Sequence, residues 1–394
     1  MSPPAATGRA RLLDVLIVGA GPAGCATALA LLRAGVQDVA LVTPPASTAW
    51  RLSESATPDV PALLAQLGVR MPPGHHPYLG NLSAWGEPMR QDDFVRRGHP
   101  PGWLVDRKRF DDQLREATVA AGSELLQPFR LREAVRIRNG WSVTLQPVAS
   151  TRPPGPPVTL QTRLLVDASG RRAALARGQL GARRQRIDDQ VALAARIPGA
   201  RPARIDDLLA GRVLVEAVPC GWWYASAPPD GPMMLSLMTD MDLARNLRTP
   251  TAWREALDHT QVLQALGVPP SDTGQAPPAI RTFAAQSGCL DRIAGPGWLA
   301  VGDALMSLDP LTSSGLSGAL RDGIAAASEV LLPWLEGASP GTAGRAWGRR
   351  ANHVWQRFLV ERRARYAMVS DWRTSRYWRR RQSEYEASAS RILR

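Results

Sequence analysis

The feature that most limits what this chain can fold into lies close to its start. Asp14 to Val18 (DVLIV) is an apolar run, GAGPAG follows at once from Gly19 to Gly24, and CATALALLRAGV comes next. The apolar run reads as a strand buried on both faces, and the small and aliphatic residues after the glycines read as a helix. Strand, glycine turn and helix in that order open a βαβ unit that receives a dinucleotide. Each glycine has its own reason to be there. Gly19 permits the tight turn, Gly21 lets the backbone approach a pyrophosphate, and Gly24 allows close contact between helix and strand while the helix N-terminus faces the phosphates. A second strand, Val39 to Val42, should end in an acid that grips the adenosine ribose. The residue there is Thr43, whose hydroxyl can still hydrogen-bond a ribose.

The chain has 394 residues, of which 44% are hydrophobic and 21% charged. That is the composition of a folded protein of two intimately packed domains and excludes a disordered or disulfide-scaffold protein. The net charge is +13, and Lys108 is the only lysine among the 48 basic residues. Residues 345–394 hold 14 arginines against Glu361, Asp371, Glu384 and Glu386, so this segment supplies most of the excess. No nucleic-acid-reading signature accompanies it, and a nucleic-acid partner is not expected. Cys25, Cys220 and Cys289 are too scattered for a metal cage or a bridge framework, and the five histidines have no ligand spacing, so no metal is expected. No apolar stretch reaches the roughly 18 residues that a membrane span requires. The expected location is the cytoplasm.

Two later segments indicate which dinucleotide is bound. Leu164 to Gly170 (LLVDASG) is an apolar strand ending in an acid and a glycine, and Leu299 to Asp303 (LAVGD) is another. The second places the Asp303 carboxylate at the carboxyl edge of a parallel sheet, where a sugar or ribityl hydroxyl can be held. With VDRKRFDDQL at 105–114 and GDALMSLDPLTSSGL at 302–316, the sequence resembles the FAD-dependent monooxygenase and tryptophan-halogenase-like superfamily, whose fold follows the p-hydroxybenzoate hydroxylase plan. The resemblance implies an α/β, Rossmann-type FAD domain, an α+β second domain built on a mainly antiparallel sheet, and C-terminal helices. It implies that Arg107 opens a helix beside the FAD phosphates and that Asp303 holds the ribityl or pyrophosphate region. Pro310 would shape a turn that lays Gly315 and Leu316 against the flavin ring.

Within that superfamily RLSESATPDVPALLAQLGV at 51–69, GWWYASAPPDG at 221–231 and YAMVSDWRTSRYWRRR at 366–381 are similar to the flavoproteins that mature tryptophylquinone enzymes. A halogenase keeps a lysine near its substrate, whereas Lys108 stands beside Arg107 in a cofactor helix. The halogenase pattern W-x-W-x-I-P is also broken, with Trp223 in the first place but Ala225 and Ala227 before Pro228. The resemblance therefore implies hydroxylation of an aromatic ring through a flavin C4a-hydroperoxide, with a tryptophan side chain of a peptide or protein precursor as substrate. Molecular oxygen would be consumed, and electrons would come from NADH or NADPH or from a separate flavin reductase. A hydroxylase, halogenase or reductase acting on a small molecule is one alternative, and a non-catalytic flavoprotein binding partner is another.

Glu54 and Asp309 are the polar candidates beside the expected ring, able to accept a proton or orient an indole N–H. Glu54 also has arginines in reach, and Asp309, before Pro310, also suits a turn. Trp85, Trp103, Trp222, Trp223, Tyr224 and the methionines from Met233 to Met241 could line an apolar cavity or pack a core. The FAD domain is expected over 1–75, 103–190 and 283–335, the substrate domain over 76–102 and 191–282, and an Arg/Trp-rich helical region over 336–394. That last region reads as amphipathic helices with solvated arginines packed on the FAD domain, or as a docking face for an anionic partner. The prolines of residues 147–158 read as a surface loop between two strands.

Overall fold

The computed structural model describes residues 12–45, 50–52, 54–148, 155–197, 209–229, 231–268 and 279–383. The opening run becomes strand β1 (Leu12–Val18), whose last four residues are fully covered. It pairs in parallel with β2 (Val39–Val42) on one side and β11 (Val158–Asp167) on the other. The parallel set extends through β8 (Glu124–Leu126) and β20 (Trp298–Ala300), and a hairpin of β9 (Phe129–Ile137) and β10 (Gly140–Pro147) joins β11 antiparallel. The eighth strand is the short β19 (Ala294–Gly295) beside β20. Part of the expected proline-rich loop, 149–154, lies outside the described residues.

Helix α1 (Pro22–Arg33) connects β1 to β2 and is buried along almost its whole length. It packs against α4 (Gly315–Ala326), where a Cβ on Gly323 would stand 2.6 Å from the Ala26 Cβ. Only small residues permit two helices to approach this closely, which explains the alanine and glycine content of both. Helix α2 (Val60–Gln66) and helix α3 (Arg107–Ala120) complete this layer, α3 being capped by Asp106, which accepts from the Arg109 amide.

A second sheet of seven strands runs in the order β17 (Arg281–Ala284), β13 (Gln190–Ile197), β16 (Met233–Asp240), β15 (Gly221–Ser226), β14 (Arg212–Val218), β5 (Gly80–Ala84) and β6 (Arg90–Asp93). All its pairings are antiparallel except that of β14 with β5. The two-residue period of a strand sends neighbours to opposite faces. Trp223, Leu235, Leu237 and Leu193 therefore enter one core, closed by the helix Pro250–Asp258 through a T-shaped Trp223–Trp253 contact. Trp222, Met238 and Ala192 enter another with Trp85, Tyr366, Tyr377 and Trp378. Both faces are covered, which is why β16 has no exposed residue. Two three-stranded sheets link the halves: β3 (Glu54–Ala56), β7 (Gly102–Val105) and β4 (His76–Tyr78), then β12 (Arg184–Arg186), β18 (Gly288–Leu290) and β21 (Met306–Ser307).

The C-terminal part meets the expectation of solvated arginines on the FAD side only in part: most of its described arginines are exposed, but some are buried and one helix lies elsewhere. Helix α5 (Pro340–Ala367) does lie against that side, with the Trp347 indole donating to the Ala300 carbonyl at 3.1 Å. Helix α6 (Arg376–Ser383), however, packs on the seven-stranded sheet, where the Trp378 indole donates to Val218 O at 2.8 Å. Arg381 is 5% exposed and bonds Asp240 at 2.8 Å, while Arg362 bonds Asp188 at 3.1 Å and Asp309 at 3.2 Å. The physical reason is the buried aspartates, which are tolerated inside a protein only when cations and donors meet them. Among the described residues no helix is long and apolar enough to cross a membrane.

Candidate functional site

The carboxyl ends of β1, β2, β11 and β20 form one edge, and the glycine turn lies along it. Gly19 has φ +115° and donates to Val42 O at 2.8 Å, and a Cβ there would stand 2.2 Å from Ala168 O. Gly24 admits no side chain either, its Cβ position being 2.0 Å from Gly19 O. Gly21 differs from both: nothing lies within 4 Å of its Cβ position, so its backbone faces open space at the N-terminus of α1. Thr43 stands at the end of β2, its amide donating to Leu126 O at 3.1 Å and its carbonyl accepting from Phe129 at 3.0 Å.

Arg107 is the first residue of α3, and its guanidinium bonds Glu54 and, at 3.3 Å, Asp111. Arg51 also reaches Asp111. Two turns further along α3, Arg115 pairs with Asp112 and donates to Ala20 O, inside the glycine turn, at 3.4 Å. The sequence reading missed Arg115. Its spacing of eight from Arg107, which keeps both on one helix face, was the available signal.

After β20 the chain turns at Gly302, whose φ is +57° and whose Cβ position is 2.7 Å from the Ala23 Cβ. This contact brings the Asp303 segment against the start of α1. The Asp303 carboxylate is 42% exposed and pairs with Arg171 at 3.3 Å. Asp322, on α4, was also missed: its carboxylate accepts from the Gly302 amide at 3.2 Å, and burial pushes it up to about 6. The turn continues through Asp309, Pro310 and Ser313 into Gly315 and Leu316, and both Gly315 and Gly318 have open space on the Cβ side. Ser55 of β3 donates to Ser313 Oγ at 3.3 Å, so the Glu54 strand meets this turn directly.

Glu54 and Asp309, the two polar candidates, are thus not brought together. Glu54 is half-exposed on Arg107. Asp309 is 1% exposed and points away into the C-terminal segment, accepting from Leu311 N at 3.0 Å, Tyr366 Oη at 2.9 Å and Arg362 Nε at 3.2 Å. Trp222 and Trp223 are buried in the two cores of the sheet. Tyr224, between them and the β3 strand, has a hydroxyl that burial pushes up to about 12 and that finds no hydrogen-bond partner among the described residues. Gly21, Gly315 and Gly318 thus have open space on the Cβ side, Thr43 and Asp303 follow strands of the same sheet, and Arg107 opens α3.

Residues 12–358 match the family described as FAD binding domain. LodB of Marinomonas mediterranea, a putative FAD-dependent oxidoreductase, is 24% identical over 377 residues, covering 93% of this chain and 96% of that protein. The tryptophan 2-halogenase of Chondromyces crocatus is 27% identical over 332 residues, covering 80% of this chain and 60% of the halogenase. Among solved structures, the myxobacterial chondrochloren halogenase CndH superposes with a TM-score of 0.79 at 21% identity, covering 94% of this chain and 86% of that one. The peptidyl tryptophan dihydroxylase QhpG, essential for tryptophylquinone cofactor biogenesis, superposes with a TM-score of 0.74 at 24% identity, covering 97% and 81%. The fold is the one these flavoproteins share.

Proposed function

The chain belongs to the FAD binding domain family and is a flavin-dependent oxidoreductase, and from that premise we propose that it is a monooxygenase hydroxylating a tryptophan side chain within a peptide or protein precursor. The observation that carries this reading over halogenation is the placement of Lys108, the only lysine in the chain. It is 59% exposed on the outer side of α3 and engaged with Asp112 at 2.8 Å, so no lysine is available to hold a halogenating species beside the substrate. Likeness to the peptidyl tryptophan dihydroxylase QhpG over 97% of the chain supports the peptidyl substrate.

Bound FAD, reduced by NADH or NADPH or by a separate reductase, would supply the oxygen-activating chemistry. The protein's own residues divide the remaining work. Gly21, Arg107 and Asp303 hold the cofactor's phosphate and sugar portion, with Thr43 at its ribose end. Asp309, saturated by Tyr366 and Arg362, fixes the Pro310 turn and so sets where Gly315 and Leu316 present their backbone. Glu54, held by Arg107, stands ready to accept the proton that the ring carbon loses, and the Tyr224 hydroxyl can take the indole N–H. Trp85, Trp222 and Tyr78, all buried, keep water from the ring's surroundings.

The test is mass spectrometry of Trp-containing peptides and free tryptophan after incubation with the FAD-loaded protein, NADH, a flavin reductase, oxygen and bromide. Oxygen added to peptidyl tryptophan is expected, with Glu54→Gln retaining FAD but losing about tenfold or more in turnover. A brominated product, or oxygen added only to the free amino acid, would overturn the proposal.

A further inference from the structure

Beside Asp303, which Arg171 and Arg184 both contact, lies a cavity of about 220 Å³ lined by Arg171, Arg172, Arg177, Arg184 and Arg186. They come from three places: the turn after β11, the segment 173–183 and strand β12. Two carboxylates answer them, Asp303 at 3.3 Å from Arg171 and Asp189 at 3.8 Å from Arg186. Among the described residues no carboxylate comes within ion-pair distance of Arg172, Arg177 or Arg184.

Arg184 is the centre of the group. Its terminal nitrogens donate to the carbonyls of Gly288 at 3.2 Å and of Asp303 and Ala304 at 2.8 Å, all neutral acceptors. Among the described residues its buried Nε has no hydrogen-bond partner, and neither has the hydroxyl of Ser287, a fully buried residue on the same wall. Burial pushes the Arg184 guanidinium down to about 10; the nearby Asp303 carboxylate opposes this in part, and Arg171 and Arg177 add like-charge repulsion. Gathering cations around a buried one is unfavourable unless an anion offsets them.

We propose that this cavity is a binding site for a phosphoryl group. Guanidinium forks approaching from three directions match the oxygens of a tetrahedral dianion better than the flat face of one carboxylate. The volume lies below the roughly 300–1,000 Å³ of pockets that enclose whole small molecules, so the site takes the charged group and leaves the rest of its carrier outside. The carrier is either the free anion or a nucleotide. An occupant would also draw Arg171 away from Asp303, linking this site to the edge where the flavin is held.

Isothermal titration of the FAD-loaded protein with inorganic phosphate, pyrophosphate and ADP, at constant ionic strength set by chloride, tests the site. Saturable one-to-one binding is expected. Arg184→Gln should abolish it. Because that variant could disturb the fold, the exposed pair Arg172→Gln/Arg177→Gln is measured beside it, with at least about a tenfold loss expected. Arg357→Gln, on the exposed face of α5, should bind as the parent does. Tighter binding of ADP with the same arginine dependence identifies a nucleotide carrier, and equal binding identifies the free anion. Binding confined to FAD-free protein and displaced by FAD would show that the cavity belongs to the flavin site and would overturn the proposal. Absence of saturable binding at millimolar concentration, or binding indifferent to the arginine variants, would overturn it equally.

Discussion

Around the glycine turn, Gly19 and Gly24 bring backbone to within 2.2 Å and 2.0 Å of where a side chain would begin. Around the seven-stranded sheet, Arg381, Arg380 and Arg362 reach in from the C-terminal helices to Asp240, Asp242, Asp188 and Asp309. The first region is held by steric closeness between neighbours, and the second by charge brought from far along the chain. Gly19 and Gly24 tolerate no added carbon, and the sheet no lost cation.

The largest effect that would break this comparison is on the charged side. Arg381→Ala leaves Asp240 with Arg380 alone in a buried setting and should cost about 3 kcal/mol, read as a lower urea midpoint. Unchanged stability would show that the sheet does not depend on the tail. On the steric side, Gly19→Ala meets both a positive φ and the Ala168 carbonyl and should cost about 2 kcal/mol. Gly21→Ala sharpens the contrast: with open space at its Cβ it should melt as the parent does while FAD affinity, measured by flavin fluorescence, falls at least about tenfold. A loss of stability in both variants would remove the distinction between the two glycines.

The smallest effect is in pH dependence, with opposite signs in the two regions. Asp322, under the Gly302 turn, is raised by burial from its ordinary 3.8 to about 6. The folded state then holds the proton more tightly than the unfolded chain, so its contribution is full below about pH 4 and lost as pH rises to about 6. Asp242, bonded by Arg380, is lowered to about 2, so its contribution is present above about pH 4 and lost as pH falls toward 2. Melting temperatures of Asp322→Asn and Asp242→Asn across pH 3 to 7 should therefore deviate from the parent in opposite directions.

The two regions also differed in how readable they were. Gly19, Gly21 and Gly24 have their reasons within six residues of one another, and the Asp303 strand announces itself by its apolar run, so local pattern sufficed. The partners of Asp309 are Arg362 and Tyr366, more than fifty residues away, and Arg381 meets Asp240 across a still longer separation. No periodicity connects such residues. A tail rich in arginine therefore looked wholly solvated, although Arg362 and Arg381 are interior. Asp322 and Arg115 escaped notice for a related reason: each acts on a main-chain atom of a distant turn, and an acceptor such as Ala20 O has no sequence signature.

The placement of α6 bears on how the molecule is made. Strands of the seven-stranded sheet come from residues 80–284, yet the face carrying Trp85, Trp222 and Met238 is covered by Tyr377 and Trp378. On the ribosome this apolar face stays bare until the last described helix has emerged, long after its strands could pair. A chain that stops short of Arg376 would thus present to the cell a formed sheet with an uncovered aromatic surface, the kind of species that chaperones hold and proteases remove.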